Sequence, residues 1–176
     1  MKFFKILGIV LAALVFLFIV VGLFLPGTAV LERRLTLNAT AHAVNKAILD
    51  LYEQHLWPIW DHGDSGIVFV PLPQGQGYSW QGAKVAYGEC EYHIAADNSI
   101  RDQIRFRGKD LAHSLWILEG SAPVKLRLVF TVTANGNLGA RWTNLFIEGL
   151  SGPSIDRVLA ELKSSLETEG LREDTP

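Results

Sequence analysis

The sequence predicts an α+β domain carried behind a single apolar helix, and three observations set that class. Ile6 to Leu25 is a run of 20 apolar or glycine residues without a charge. From Gly66 to Ile147 the chain reads as short β-rich runs separated by turn residues, the pattern of an antiparallel meander. After Ser151-Gly152-Pro153, residues Ile155, Val158, Leu159, Leu162 and Leu166 share one face of a long helix that Gly170 closes.

The N-terminal run is long enough to cross a membrane, since 20 residues at about 1.5 Å each match a hydrocarbon core of roughly 30 Å. Pro26 stops the helix where the bilayer would end. The competing reading is a cleaved secretory signal, whose apolar stretch is shorter, about 7 to 15 residues; Gly27 and Ala29 would supply its small cleavage-site residues. Lys2 and Lys5 precede the span, whereas Arg33 and Arg34 follow it beside Glu32. That bias puts the N-terminus in the cytoplasm and the domain on the outer, periplasmic face. The expected organisation is an anchor over 1–26, a globular domain over 27–170 and a polar tail over 171–176. The connection Pro26 to Ala29 reaches roughly 14 Å when extended, which seats the domain on the bilayer surface.

The whole chain carries 16 basic and 18 acidic residues, and without Lys2 and Lys5 the remainder has a net charge of about −4. Nucleic acid is therefore not an expected partner. Cys90, the sole cysteine, excludes an internal disulfide and argues against a thiolate metal site.

Val30 to Leu37 alternates as a half-buried strand, broken once by Arg33. Asn38 reads as the N-cap of the next helix, although Asn38-Ala39-Thr40 also satisfies the pattern of a glycosylation acceptor. Val44, Ala47, Ile48 and Leu51 then recur at helical spacing, with the helix reaching about Leu56 before Pro58 ends it. Strands are expected at Ile67 to Val70, Gly77 to Trp80, Lys84 to Ile94, Ile100 to Arg107, His113 to Glu119, Lys125 to Ala134 and Leu138 to Ile147. Gln81-Gly82, Asp97-Asn98 and Asn135-Gly136-Asn137 mark hairpin turns. One long helix laid across the curved sheet would cover its apolar face.

Several stretches together resemble the START-like (SRPBCC) superfamily, in particular its membrane-anchored branch labelled polyketide cyclase/dehydrase and lipid transport. They are Gly22-Leu23-Phe24-Leu25-Pro26 running into Arg33-Arg34-Leu35-Thr36-Leu37-Asn38-Ala39; Trp57-Pro58-Ile59-Trp60; Gly77-Tyr78-Ser79-Trp80-Gln81-Gly82; and Gly88-Glu89. The helix segment Val158-Leu159-Ala160-Glu161-Leu162-Lys163 fits as well. The resemblance implies the helix-grip fold, a curved antiparallel sheet of six to seven strands gripping a C-terminal helix. It also implies a cavity for lipids or hydrophobic small molecules under that helix, in which some relatives do chemistry. The chain departs from the pattern between Trp142 and Ser151, a link without the extra turn that often precedes the grip helix.

Strand parity selects the inward side chains. They are Leu126, Leu128, Phe130 and Val132 on one run; Ile100, Asp102, Ile104 and Phe106 on another; and Ala86, Gly88, Cys90, Tyr92 and Ile94 on a third. Asp102 is the one carboxylate among them. Buried, it would have a raised pKa suited to a general acid or a ligand contact; the preferred alternative is a register shift near Asp97-Asn98 that returns it to water. Glu89, Glu91 and His93 face outward. Asp61-His62-Gly63-Asp64-Ser65 gathers polar groups but matches no metal-site spacing and reads as a solvated loop. Cys90 and His93 point to opposite faces of a strand and form no nucleophile–base pair.

The cavity wall is expected from Trp57, Trp60, Trp80, Tyr92 and Asp102 with Phe106, Phe130 and Trp142, closed by Val158 and Leu162 of the last helix. Apolar walls with a few polar tips suit a ligand, although the same aromatics, with Tyr78 and Trp116, could pack as a solid core. No catalytic constellation is present, and no cofactor or metal is expected. The reading adopted is a non-enzymatic, membrane-tethered binding domain for a lipid or other hydrophobic small molecule. Its rivals are a cyclase or dehydratase using Asp102 or Glu89 and a protein-interaction module using the same groove.

Overall fold

Helical periodicity and period-two alternation resolve into eleven elements in the computed structural model, which describes residues 2–57, 66–73 and 76–173. They are α1 (Lys2–Phe24), β1 (Thr28–Leu37), α2 (Ala41–Glu53), β2 (Val68–Pro71), β3 (Gln76–Gln81), β4 (Gly88–Ile94), β5 (Ile100–Phe106), β6 (Lys109–Glu119), β7 (Val124–Thr133), α3 (Leu138–Asn144) and α4 (Ile147–Glu173). The strands form one sheet in the order β1-β7-β6-β5-β4-β3-β2, antiparallel throughout. Consecutive hairpins build β2 to β7, and β1 returns to pair along all of β7, from Thr28 opposite Thr133 to Leu37 opposite Val124. This is the helix-grip arrangement.

Register aligns the inward residues in rows across the sheet. One row runs Ala29, Val132, Ala112, Ile104, Cys90, Tyr78, and the next Leu31, Phe130, Ser114, Asp102, Tyr92. Small residues in these rows leave depth, and α2 fills it with Val44, Ile48, Leu51 and Tyr52. Ile94, at the end of β4, is exposed instead of inward. Gly88 permits close packing, because a Cβ there would collide with the Trp80 indole.

The apparent break in β1 is not one. Arg33 occupies an inward position, in the row with Leu128 and Trp116, where α4 crosses β1. Its guanidinium bonds Asp156 at 2.7 Å and pairs with Glu148, both on α4. These partners raise its already high pKa, so the cation is permanent. A Cβ on Gly152 would lie 3.0 Å from the guanidinium and 2.9 Å from Glu148. Glycine here gives the bridge room to pass.

Three sequence expectations need correction. The helix cap is Thr40 rather than Asn38, with its hydroxyl accepting from the Ala43 N–H at 3.2 Å. The strand expected over Leu138 to Ile147 is helical, because β7 is already flanked by β1 and β6. Asn135 and Gly136 turn the chain at positive φ, and Asn137 caps α3 by accepting from the Ala140 N–H at 3.1 Å. The link from Trp142 to Ser151 is mostly helical, running from the end of α3 into the first turns of α4. Finally, α4 begins at Ile147 and runs through Gly170 to Glu173, so Pro153 stands within the helix. Without an N–H there, the Gly149 carbonyl loses its helical donor.

At the far end of the chain's order, α1 supplies 22 residues, Phe3–Phe24, long and apolar enough to cross a membrane. It packs against α3, while α4 packs on β1 and α2.

Leu162 is buried where α4 meets the core. Leu162→Ala should cost about 2 to 5 kcal/mol in urea unfolding; a loss under about 0.5 kcal/mol would contradict its placement.

Candidate functional site

The concave centre of the sheet is organised around one carboxylate. Asp102 lies on β5 with its side chain inward and is 4% exposed. The irregularity in the β5–β6 pairing falls between Ile104 and Arg105, past Asp102, so parity holds through this position. The preferred expectation, that a slip near Asp97-Asn98 puts Asp102 in water, is overturned.

Both carboxylate oxygens are occupied. Tyr52 Oη and Trp57 Nε1 each donate to Oδ2 at 2.7 Å, and the backbone N–H of Ser114, directly across on β6, donates to Oδ1 at 2.6 Å. Trp116 Nε1 donates to Tyr52 Oη at 2.9 Å, extending the chain of bonds by one ring. The Tyr78 hydroxyl donates to the Trp57 carbonyl. Burial pushes the Asp102 carboxyl up from its ordinary 3.8, while the donors from Tyr52, Trp57 and Ser114 pull it back down. Burial and the nearby Asp102 charge drive the Tyr52 phenol and the Cys90 thiol well above their usual ranges. Neither supplies an anion for nucleophilic attack at neutral pH.

Local folding explains how Trp57 arrives. After α2, His55 adopts a φ of 58°, and the N–H groups of Leu56 and Trp57 both bond back to the Leu51 carbonyl, at 2.8 and 3.2 Å. This reversal drops the Trp57 indole onto the sheet, edge-on to Trp116 at 5.0 Å and to Phe130 at 6.0 Å. Tyr52 stacks on Tyr92 at 4.4 Å. Trp80 meets Phe106 edge-on at 5.4 Å.

Of the expected wall residues, Trp57, Trp80, Tyr92, Asp102, Phe130, Val158 and Leu162 are buried and Phe106 partly so. Between hollow and solid, the described residues at the centre form a filled aromatic layer. Trp142 lies elsewhere, on α3, stacked on Phe18 of α1 at 4.6 Å, because its segment is a helix. Trp60 and the Asp61, His62, Asp64 and Ser65 loop lie outside the described residues. Glu89 is on the outer face, bonded by Tyr87 and near Arg105. Among the described residues no group of three or more histidine, cysteine or acidic side chains converges to hold a metal. Tyr52 escaped the sequence reading; it continues the Val44, Ile48, Leu51 stripe, and that periodicity was its signal.

Open space lies one layer out. A groove of about 560 Å³ separates α2 from α4, with Ala43, Ala47, Leu51 and Leu162 at its base and Lys46, Asp50 and Glu161 among its charged lining. Leu51 and Leu162 also belong to the core, so the groove rests on the same apolar mass that Asp102 organises. A second hollow, on the outer face of the sheet, is walled by Glu91, His93, Arg101 and Arg105.

No sequence-family model matches the chain, and no curated protein matches it either. Solved structures do. A norcoclaurine synthase point mutant from Thalictrum flavum, in complex with a transition-state analogue, is 10% identical with a TM-score of 0.55, covering 81% of this chain and 96% of its own. The ZhuI aromatase/cyclase from Streptomyces sp. R1128 is 14% identical with a TM-score of 0.54, covering 80% and 94%. A START superfamily protein from Mycobacterium smegmatis is 13% identical with a TM-score of 0.52, covering 79% and 97%. The fold is START-like.

Asp102→Asn should destabilise the domain by about 1 to 3 kcal/mol at pH 7 in urea unfolding, because the amide NH2 must then face a donor, either the Ser114 N–H or the Tyr52 and Trp57 pair. Since burial raises the folded pKa of Asp102, its protonated form adds stability at acid pH, and that contribution is lost as pH rises above 3.8. The gap between wild type and variant should therefore widen toward pH 4. Equal stability of wild type and variant at pH 7 would show that the network is not formed.

Proposed function

We propose that the chain is a membrane-tethered binding domain for a lipid or other hydrophobic small molecule. The ligand lies in the groove between α2 and α4, on the apolar floor of Ala47, Leu51 and Leu162. The observation that carries this reading is the groove itself: an apolar base continuous with the core, with charges among its lining, is the composition of a site for a molecule with an apolar body and a polar end. The fold supports it, since START-like domains and aromatase/cyclases share this architecture. The anchor supports it as well. Three residues join α1 to β1, so the groove stays near the membrane and draws its ligand from lipid. Lys2 and Lys5 orient the anchor with the domain on the outer, periplasmic face.

Acid–base chemistry at Asp102 is the weaker reading, because three donors already hold that carboxylate and Trp57 stands over it. A cyclase using it would first have to expel the indole.

The test is photocrosslinking of the full chain in phosphatidylcholine nanodiscs doped with a diazirine fatty acid, followed by mass-spectrometric mapping. Labels are expected on Leu51, Leu56 and Leu162. Ala47→Trp, which fills the groove, should lower that labelling about fivefold or more, and Arg127→Ala, on the outer sheet face, should leave it unchanged. Labelling confined to residues 3–24 and 138–150 would remove the groove as a lipid site.

A further inference from the structure

The contact between α1 and α3 fixes how deep the domain sits. Phe18 stacks on Trp142 with ring planes 7° apart, and Gly22 is buried beneath α3. A Cβ at Gly22 would lie 2.7 Å from both Leu138 and the Trp142 indole nitrogen, so only glycine allows this approach. Phe18 is six residues before Phe24, roughly 9 Å along the helix axis. An α1 that fills the hydrocarbon layer with its apolar run therefore carries α3 below the membrane surface with it.

The composition of this segment suits that depth. Between Leu138 and Leu150 the only charged residues are Arg141 and Glu148. Arg141 donates to the Leu23 and Leu25 carbonyls at 2.8 and 3.0 Å, satisfying the C-terminal end of α1, and Glu148 pairs with Arg33. Neither charge is left alone. Meanwhile Leu145, Phe146 and Leu150 are 49%, 63% and 60% exposed, large apolar side chains continuous with the α1–α3 contact.

We infer that residues 138–150 form a second membrane contact, immersed at the acyl boundary of the leaflet from which α1 emerges. Its partner is bilayer lipid, taken up by Leu145, Phe146 and Leu150. The domain is thus clasped at two points rather than tethered at one, and its rotation about the anchor is suppressed. The inference rests on the reading of α1 as a membrane span.

Single cysteines report it in the full chain, since native Cys90 is buried and closed to labelling. Phe146→Cys, Leu150→Cys, Phe16→Cys and Ser121→Cys are labelled with an environment-sensitive fluorophore and reconstituted in phosphatidylcholine vesicles containing doxyl-labelled lipid. Ser121 lies at the end of β1 and β7 away from the membrane, about 30 Å along ten-residue strands. Labels at 146 and 150 should be blue-shifted and quenched by doxyl lipid to at least about half the extent of the label at 16, with 121 unquenched. If 146 and 150 behave like 121 while 16 is quenched, the second contact is refuted and the anchor stands. If 16 is not quenched, the anchor and the second contact both fall.

Discussion

A carboxylate buried beneath aromatic rings must find donors, and the concave side of this domain is arranged to provide them to Asp102. An unpartnered charge there would cost several kcal/mol. Three donors from three separate parts of the chain, the end of α2, the turn beyond it and β6, meet that requirement together. The carboxylate thereby fixes the pitch of α2 over the sheet and the position of Trp57. Trp57 in turn sets where Tyr78 and Phe130 lie. The floor of the α2–α4 groove is the outer side of this same assembly. The shape of the groove thus depends on a polar contact buried beneath it.

A second satisfied charge does comparable work on the other side. Arg33 takes an inward position on β1 that an apolar residue would normally hold, and clamps α4 through Asp156 and Glu148. Glu148 lies in the first turn of α4, just after α3, which packs on α1. The pairs are partly exposed, and their value is orientation more than stability. Packing of Leu159, Leu162 and Leu166 supplies the stability.

Much of this was legible in the residues. Alternation placed Leu126, Leu128, Phe130, Ile100 and Ile104 on the buried face, and each is there. The 3.6-residue stripe of Ile155, Val158, Leu159, Leu162 and Leu166 located the grip helix. Failures came where side-chain partners decide against the local pattern. Arg33 looked like a break because its partners lie more than a hundred residues away. Asp102 was expected in water because no periodicity reveals that Tyr52, Trp57 and Ser114 converge on it. Leu138 to Ile147 contains both strand-forming residues and a helical spacing at Leu138, Arg141, Trp142 and Leu145; the pairing of β7 with β1 on one side and β6 on the other decided for the helix. The groove could not be read at all, since it is the gap between two helices whose distance only packing sets.

The hydrogen exchange of the Trp57 indole Nε1–H, followed by NMR and assigned with Trp57→Phe, is the most direct probe of the Asp102 hub. If the carboxylate holds the aromatic layer in place, that proton exchanges only through global unfolding, about 10⁴-fold or more slower than an exposed indole. Exchange near the rate of a free indole in the folded chain would show that Trp57 is not held by Asp102, and that the aromatic layer is not the fixed floor on which the groove depends.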